Sequence, residues 1–300
     1  MLVLALLPMA GNAQLRVASP ASPVVNPDRT LTFNFRATAA EKVELSGQFL
    51  RGYQIMQKDS NGKVTYCWYY SERFATPRPL LVNTPPGYDK SNESYPVFYL
   101  VSGTTDTEET WFKVGKANII LDNLIDQKKA VPMINVLPCW NMLTGAPIPS
   151  SPQAAEVYKK FSDELTEKII PFVEENFRTI PHRESRAIAG FSRGGGQSLF
   201  TGFTHFDKFA WIGSYSAYLT RQVFDHYFDH LVKNTRQTND LMKLLWLGVG
   251  SEDFLYNEAQ AFIDLMNELK IDNVSLVTGG GHTWMNSRHY LTETLQILFN

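Results

Sequence analysis

The sequence predicts an α/β protein, with a mostly parallel central sheet and helices on both faces. Two observations predict it. Beyond Pro79, short continuous apolar runs alternate with amphipathic helical patterns, as strands buried on both faces and their covering helices require. The 300 residues are 44% hydrophobic and 19% charged, which is the composition of a large packed core and excludes a disordered chain. A formal net charge of -2 argues against a nucleic-acid partner. No apolar run reaches the roughly 18 residues of a membrane span. Aromatics, at 13%, are generous and suit a core, a sugar-binding surface, or both.

Residues 1–13 read as the end of a secretory signal. Leu2 to Leu7 form an apolar region, and Gly11-Asn12-Ala13 supplies small residues before a cleavage at Gln14, although no basic segment precedes them. The expected location is therefore secreted or periplasmic. Residues 14–63 combine a Pro- and Ser-rich linker with a β-rich segment. In it, Leu31, Phe33 and Phe35 alternate with polar residues, and Val43-Glu44-Leu45-Ser46 continues the alternation. A full β-sandwich takes about 100 residues, so this segment is either truncated or packs on the rest.

Residues 64–300 carry the α/β pattern. Val64–Tyr70, after the turn signal Ser60-Asn61-Gly62-Lys63, reads as one more strand of the β-sandwich type. Beyond Pro79 the strand-like runs are Leu80–Asn83, Val97–Val101, Met133–Pro138, Arg186–Gly190, Phe209–Gly213, Leu244–Val249 and Val274–Val277. Helical patterns are Lys116–Gln127, Ala154–Phe177 with a bend expected at Pro171, Gln197–Thr204, Asn257–Lys270 and Tyr290–Leu298. Ser214–Lys243 is expected to form part of a cap. Cys67 and Cys139 fit no zinc motif; they read as two buried thiols, or as a pair if the protein is exported.

Gly190-Phe191-Ser192-Arg193-Gly194 fits G-x-S-x-G between a strand and a helix opened by Gly194-Gly195-Gly196. Such a turn exposes a strained serine at a helix N-terminus, where N–H groups face developing negative charge. A serine hydroxyl needs a base and an orienting acid. In the α/β-hydrolase order these follow as acid, then His. His282 lies after the run Val274–Val277, and Asp253 after the run Leu244–Val249, both at strand carboxyl ends. Glu252 competes as the acid, but the shorter aspartate beside Phe254-Leu255, which is expected to be buried, is preferred. The expected oxyanion donors are the N–H groups of Arg193 and of Thr104, in the Ser102-Gly103-Thr104-Thr105 loop. Trp284, Trp111 and Trp140 are candidate substrate walls, with a core role equally open for the latter two. His182, His205 and His289 read as surface or helix-end positions. His226 and His230 are spaced for a metal, but Tyr227 stands where the zincin motif needs Glu, so a solvated face is expected. No metal or organic cofactor is expected.

The segments Leu81-Val82-Asn83-Thr84-Pro85-Pro86-Gly87-Tyr88 and Tyr95 to Leu100 resemble the entry to the putative esterase family. The stretches Asn118 to Ile125, Gly190 to Gly195, Glu252-Asp253-Phe254-Leu255 and Gly280-Gly281-His282-Thr283-Trp284 are similar to its secreted xylan-associated branch. That family includes the feruloyl and acetyl-xylan esterases of carbohydrate esterase family one, enterochelin esterases, esterase D and mycolyltransferases. The resemblance implies an α/β-hydrolase fold, with Ser192, Asp253 and His282 as nucleophile, acid and base. It implies a secreted serine esterase acting on feruloyl or acetyl esters of plant cell-wall polysaccharides such as xylan. Siderophore ester hydrolysis or acyl transfer on the same fold, and a catalytically silent carbohydrate-binding protein, are the alternatives. The implied partner is an acylated oligo- or polysaccharide, with no nucleic acid and no membrane. Two departures stand out. Val101-Ser102-Gly103 replaces the family's Leu-His-Gly, and the N-terminal immunoglobulin-like module resembles only an opening half, Pro23 to Phe49.

Overall fold

The computed structural model describes residues 62–139 and 148–300, with the backbone of four short strands before them. Those strands pair antiparallel, β1 (Val24–Val25) with β2 (Leu31–Thr32) and β3 (Val43–Leu45) with β4 (Gln54–Met56). Contacts divide the chain into two units, Met1–Ser60 and Asn61–Asn300. The expected export leader lies outside the described residues. So does most of the segment expected to be immunoglobulin-like.

The second unit is built on an eight-stranded sheet. Its strands are β5 (Lys63–Ser71), β6 (Thr76–Thr84), β7 (Val97–Val101), β8 (Ile134–Pro138), β9 (Arg186–Phe191), β10 (Trp211–Tyr215), β11 (Leu244–Gly250) and β12 (Val274–Thr278). They lie in the order β12-β11-β10-β9-β7-β8-β6-β5. All neighbours from β12 to β8 are parallel, whereas β6 runs antiparallel to both β8 and β5. The run Val64–Tyr70 thus becomes a strand of the main sheet.

Helices α1 (Thr110–Lys113), α2 (Ala117–Asp126), α3 (Glu156–Glu164), α4 (Ile170–Asn176), α5 (Arg193–Thr204), α6 (Arg221–Lys233), α7 (Thr235–Leu241), α8 (Tyr256–Glu268) and α9 (Trp284–Leu295) complete the unit. The sheet has a core on each face. Along β7, Val97, Tyr99 and Val101 pack with Phe161, Leu165 and Val173 on one side. Phe98 and Leu100 pack with Trp111, Leu121 and Leu291 on the other. Both sets of alternating side chains are buried, so the strand reads as a continuous apolar run.

Four boundaries differ from expectation. Where a bend is expected at Pro171, a wide π turn, Leu165–Ile169, interrupts the α-helical pattern just before it, and Pro171 falls in the first turn of α4, where a missing N–H is tolerated. Helix α5 begins at Arg193 and not Gln197, because its three glycines form the first turn instead of a lead-in. Helix α9 begins at Trp284, capped by Thr283 Oγ1, which accepts the Asn286 N–H. The segment expected as a cap supplies the end of β10 and then α6, whose Phe224, Phe228 and Leu231 join Phe200, Phe203 and Phe262 in the core. The aromatic surplus goes mainly into these cores, but Tyr66, Trp68 and Tyr70 stand exposed along the edge strand β5.

Candidate active site

Ser192 occupies the single position between β9 and α5, with φ 57° and ψ -129°. This backbone is strained for a residue with a side chain, and surrounding contacts hold it there. The Ser192 N–H donates to Tyr215 O at 2.8 Å, and its carbonyl accepts from Gly195 and Gly196 at 2.8 and 3.2 Å. The turn closes only because two neighbours lack side chains. A Cβ on Gly190 would lie 2.4 Å from the Gly194 backbone, and one on Gly194 would lie 2.5 Å from the carbonyl oxygens of Val101 and Ser102. Strand β9, helix α5 and the end of β7 therefore meet backbone to backbone beneath the serine.

Asp253 and His282 extend from the carboxyl ends of β11 and β12. A tight turn sets the aspartate, with its N–H donating to Gly250 O at 3.0 Å and its Oδ1 accepting the Leu255 N–H at 2.8 Å. His282 Nδ1 lies 3.0 and 2.9 Å from the two carboxylate oxygens, and the Asp253 side chain is fully enclosed. Burial alone pushes the Asp253 carboxyl up. The His282 ring, the Leu255 N–H, the Ser216 hydroxyl and the histidine's charge together hold it below the ordinary value. Glu252 is exposed, and its backbone N–H is spent on Gly280 O at 3.0 Å. Phe254 departs from expectation: it is 73% exposed, its ring 4.5 Å from that of His282. Asp253 is therefore enclosed although its neighbour Phe254 is not. Phe191, the residue before Ser192, meets the imidazole at 4.6 Å and so brings the histidine beside the serine turn.

A Ser192–His282 hydrogen bond is not among those of the described residues. Contacts of this kind are often long until substrate arrives.

The loop after β7 crosses the same point. A Cβ on Gly103 would come within 3.5 Å of Ser192 Cβ. The Gly103 N–H donates to Asp106 Oδ2 at 3.0 Å, and the Asp106 N–H returns to Gly103 O at 3.4 Å. Ser102 Oγ donates to Thr107 O at 3.0 Å. Thr104 is partly exposed at the tip between these ties. Chain order reverses here, since β7 lies between β8 and β9, and open α/β sheets place ligand crevices at such switch points.

The three tryptophans separate. Trp284 is partly buried, 5.2 Å from the Phe191 ring and 4.8 Å edge-on to Trp111. Trp111 is wholly enclosed, its Nε1 donating to Val101 O at 3.1 Å, so it offers no face to a substrate and instead backs Trp284. Trp140 lies outside the described residues. His182, His226, His230 and His289 are exposed and His205 is half-buried. Cys67 and Cys139 are half-buried thiols. Among the described residues no helix is long and apolar enough to cross a membrane.

Asp106 and Ser216 escape the sequence reading. The turn-forming Gly-Thr-Thr-Asp spacing after a strand is a signal for Asp106. Nothing local marks Ser216, which adopts φ 51° and is brought to Asp253 only by the fold.

The sequence profile described as putative esterase matches residues 71–298. The chain belongs to the putative esterase family. It is 33% identical over 149 residues to an endo-1,4-beta-xylanase/feruloyl esterase of Xylanibacter ruminicola, covering 48% of this chain and 20% of the relative. It is 25% identical over 255 residues to endo-1,4-beta-xylanase Y of Acetivibrio thermocellus, covering 74% of this chain and 22% of that one. The family member thus spans about a fifth of the length of these two curated relatives. Its fold is that of a ferulic acid esterase with TM-score 0.67 and 24% identity, covering 79% of this chain and 98% of the other. A CE1 ferulic acid esterase from Anaeromyces mucronatus, solved with ferulic acid, also superposes at TM-score 0.67. It is 21% identical, with 81% of this chain and 94% of the other covered.

Proposed function

We propose that this chain is a secreted serine esterase that removes feruloyl or acetyl groups from plant cell-wall polysaccharides such as xylan. The observation that carries the reading is the closed Asp253–His282 pair beside a strained Ser192 turn, all at one end of the sheet. The name of the Xylanibacter ruminicola relative, which pairs xylanase with feruloyl esterase, supports the acyl and polysaccharide classes.

In this mechanism Ser192 Oγ attacks the ester carbonyl carbon while His282 Nε2 accepts its proton. Asp253 holds the Nδ1–H tautomer and stabilises the imidazolium that forms. The N–H groups of Arg193 and Thr104 donate to the oxyanion. Collapse breaks the ester C–O bond, and His282 returns the proton to the departing sugar oxygen. Water then attacks the acyl-enzyme with His282 again as base, releasing the carboxylic acid and restoring Ser192. The exposed Phe254 lies against the imidazole, and Trp284 lies against Phe191, the residue before Ser192; both provide apolar surface for an aromatic acyl group.

The test compares wild type with Ser192→Ala on methyl ferulate, acetylated xylan and a siderophore ester. Hydrolysis of either of the first two by wild type alone is expected. Equal rates in both proteins would sink the esterase reading, and turnover confined to the siderophore ester would redirect it.

A further inference from the structure

We propose that Asp106 is a positioning residue for the oxyanion loop, a role that rests on the esterase reading above. The loop lies against the nucleophile: a Cβ on Gly103 would sit 3.5 Å from Ser192 Cβ and 3.6 Å from Phe191 O. Two backbone N–H groups, those of Gly103 and Thr104, follow one another there. Asp106 Oδ2 accepts the first at 3.0 Å, and the Asp106 N–H returns to Gly103 O at 3.4 Å, so a reciprocal pair closes the turn. The Gly103 donor is thereby committed within the loop, and Thr104 becomes the next backbone donor.

A second tie, Ser102 Oγ to Thr107 O at 3.0 Å, anchors the loop ends, and the Thr107 N–H donates to Thr110 Oγ1 at 2.9 Å in α1. The turn is therefore held from both sides, and its tip geometry is decided before any substrate binds. This matters because an oxyanion donor is useful only if it needs no reorganisation when charge develops. Asp106 is itself half-buried. Burial pushes its carboxyl up, while the Gly103 N–H and the charge of His282 draw it down. A carboxyl in such a setting is costly to keep unless its hydrogen bond is used.

Three substitutions in the full chain test the role, read as kcat and KM on methyl ferulate. Asp106→Asn keeps an oxygen able to accept the Gly103 N–H and should retain kcat within about threefold. Asp106→Ala removes the acceptor and should lower kcat by about 10- to 100-fold with KM little changed, less than the loss of a whole oxyanion donor. Asp106→Glu keeps the charge but carries the carboxylate one methylene past Gly103. It should fall with the alanine variant, and it decides the matter if Asp106→Ala does not fold. Wild-type kcat in the alanine or glutamate variant would overturn the role. So would an asparagine variant as impaired as alanine, since charge and not the hydrogen bond would then matter. Wild type no faster than Ser192→Ala would instead remove the esterase reading beneath it.

Discussion

His282 Nδ1 stands within 3.0 Å of both carboxylate oxygens of Asp253, and no part of the aspartate side chain reaches solvent. One ring N–H shared between two oxygens fixes the plane of the imidazole as well as its tautomer. The opposite nitrogen, Nε2, is thereby left for the proton transfer proposed above.

Replacing Asp253 by Asn keeps the shape and loses the charge. Activity on an ester substrate should fall about 10³- to 10⁴-fold, since an amide favours the wrong tautomer. Stability should respond to pH as well. The folded-state carboxyl is held below its ordinary value of about 3.9, so its contribution is full above that pH and is lost as pH falls through the lower folded value. In urea titrations, the stability gap between wild type and Asp253→Asn should narrow below about pH 4. A gap that widened there would contradict the assignment.

Ser192→Ala should abolish turnover, by at least about 10³-fold, while leaving the melting temperature close to wild type. The backbone bonds that shape the turn, from Ser192 N–H to Tyr215 and from Gly195 to Ser192 O, do not use the hydroxyl. Circular dichroism melts alongside the assay would separate loss of chemistry from loss of fold.

Gly194→Ala should be destabilising by about 1–3 kcal/mol and inactive, because the added Cβ meets carbonyl oxygens of Val101 and Ser102 at 2.5 Å and backbone cannot swing aside. Gly279→Ala is the matched control. Nothing lies within 4 Å of a Cβ there, and its effect should stay within about 0.5 kcal/mol. Chemical denaturation of both variants checks the pair.

Trp111→Ala and Phe254→Ala should behave oppositely. Trp111 is fully enclosed in the core, and its truncation should cost about 3–5 kcal/mol of stability. Phe254 is 73% exposed against the His282 ring, so its truncation should leave stability unchanged and raise KM for a feruloyl ester more than for an acetyl ester. Equal KM changes on both esters would remove Phe254 from the acyl site.

Much of this architecture was legible from residue order. The β7 run, Val97 to Val101, matches its predicted bounds because both faces are buried and every side chain is apolar. The Ser192 turn was legible because only glycine tolerates backbone contact at positions 190 and 194, and that demand leaves a written motif. Helix starts were harder. Gly194-Gly195-Gly196 reads as the lead-in to a helix beginning at Gln197, yet these glycines already form the first turn of α5.

Side-chain partners across the sheet were the least legible. Periodicity placed Asp253 and His282 at the ends of adjacent strands, since burial repeats along the chain and local sequence records it. Phe254, expected to be buried, is exposed, and Trp111, left open between core and substrate wall, is enclosed in the core, because an apolar letter does not say which side of a turn it occupies. Asp106 and Ser216 remained unread, for their contacts with Gly103 and Asp253 depend on how loops from separate strands cross. The amino-acid order by itself determined the sheet, the serine turn and the candidate residues. Which groups touch was decided only when packing brought distant strand ends to one place, because hydrogen bonds act over about 3 Å and no local pattern encodes that proximity.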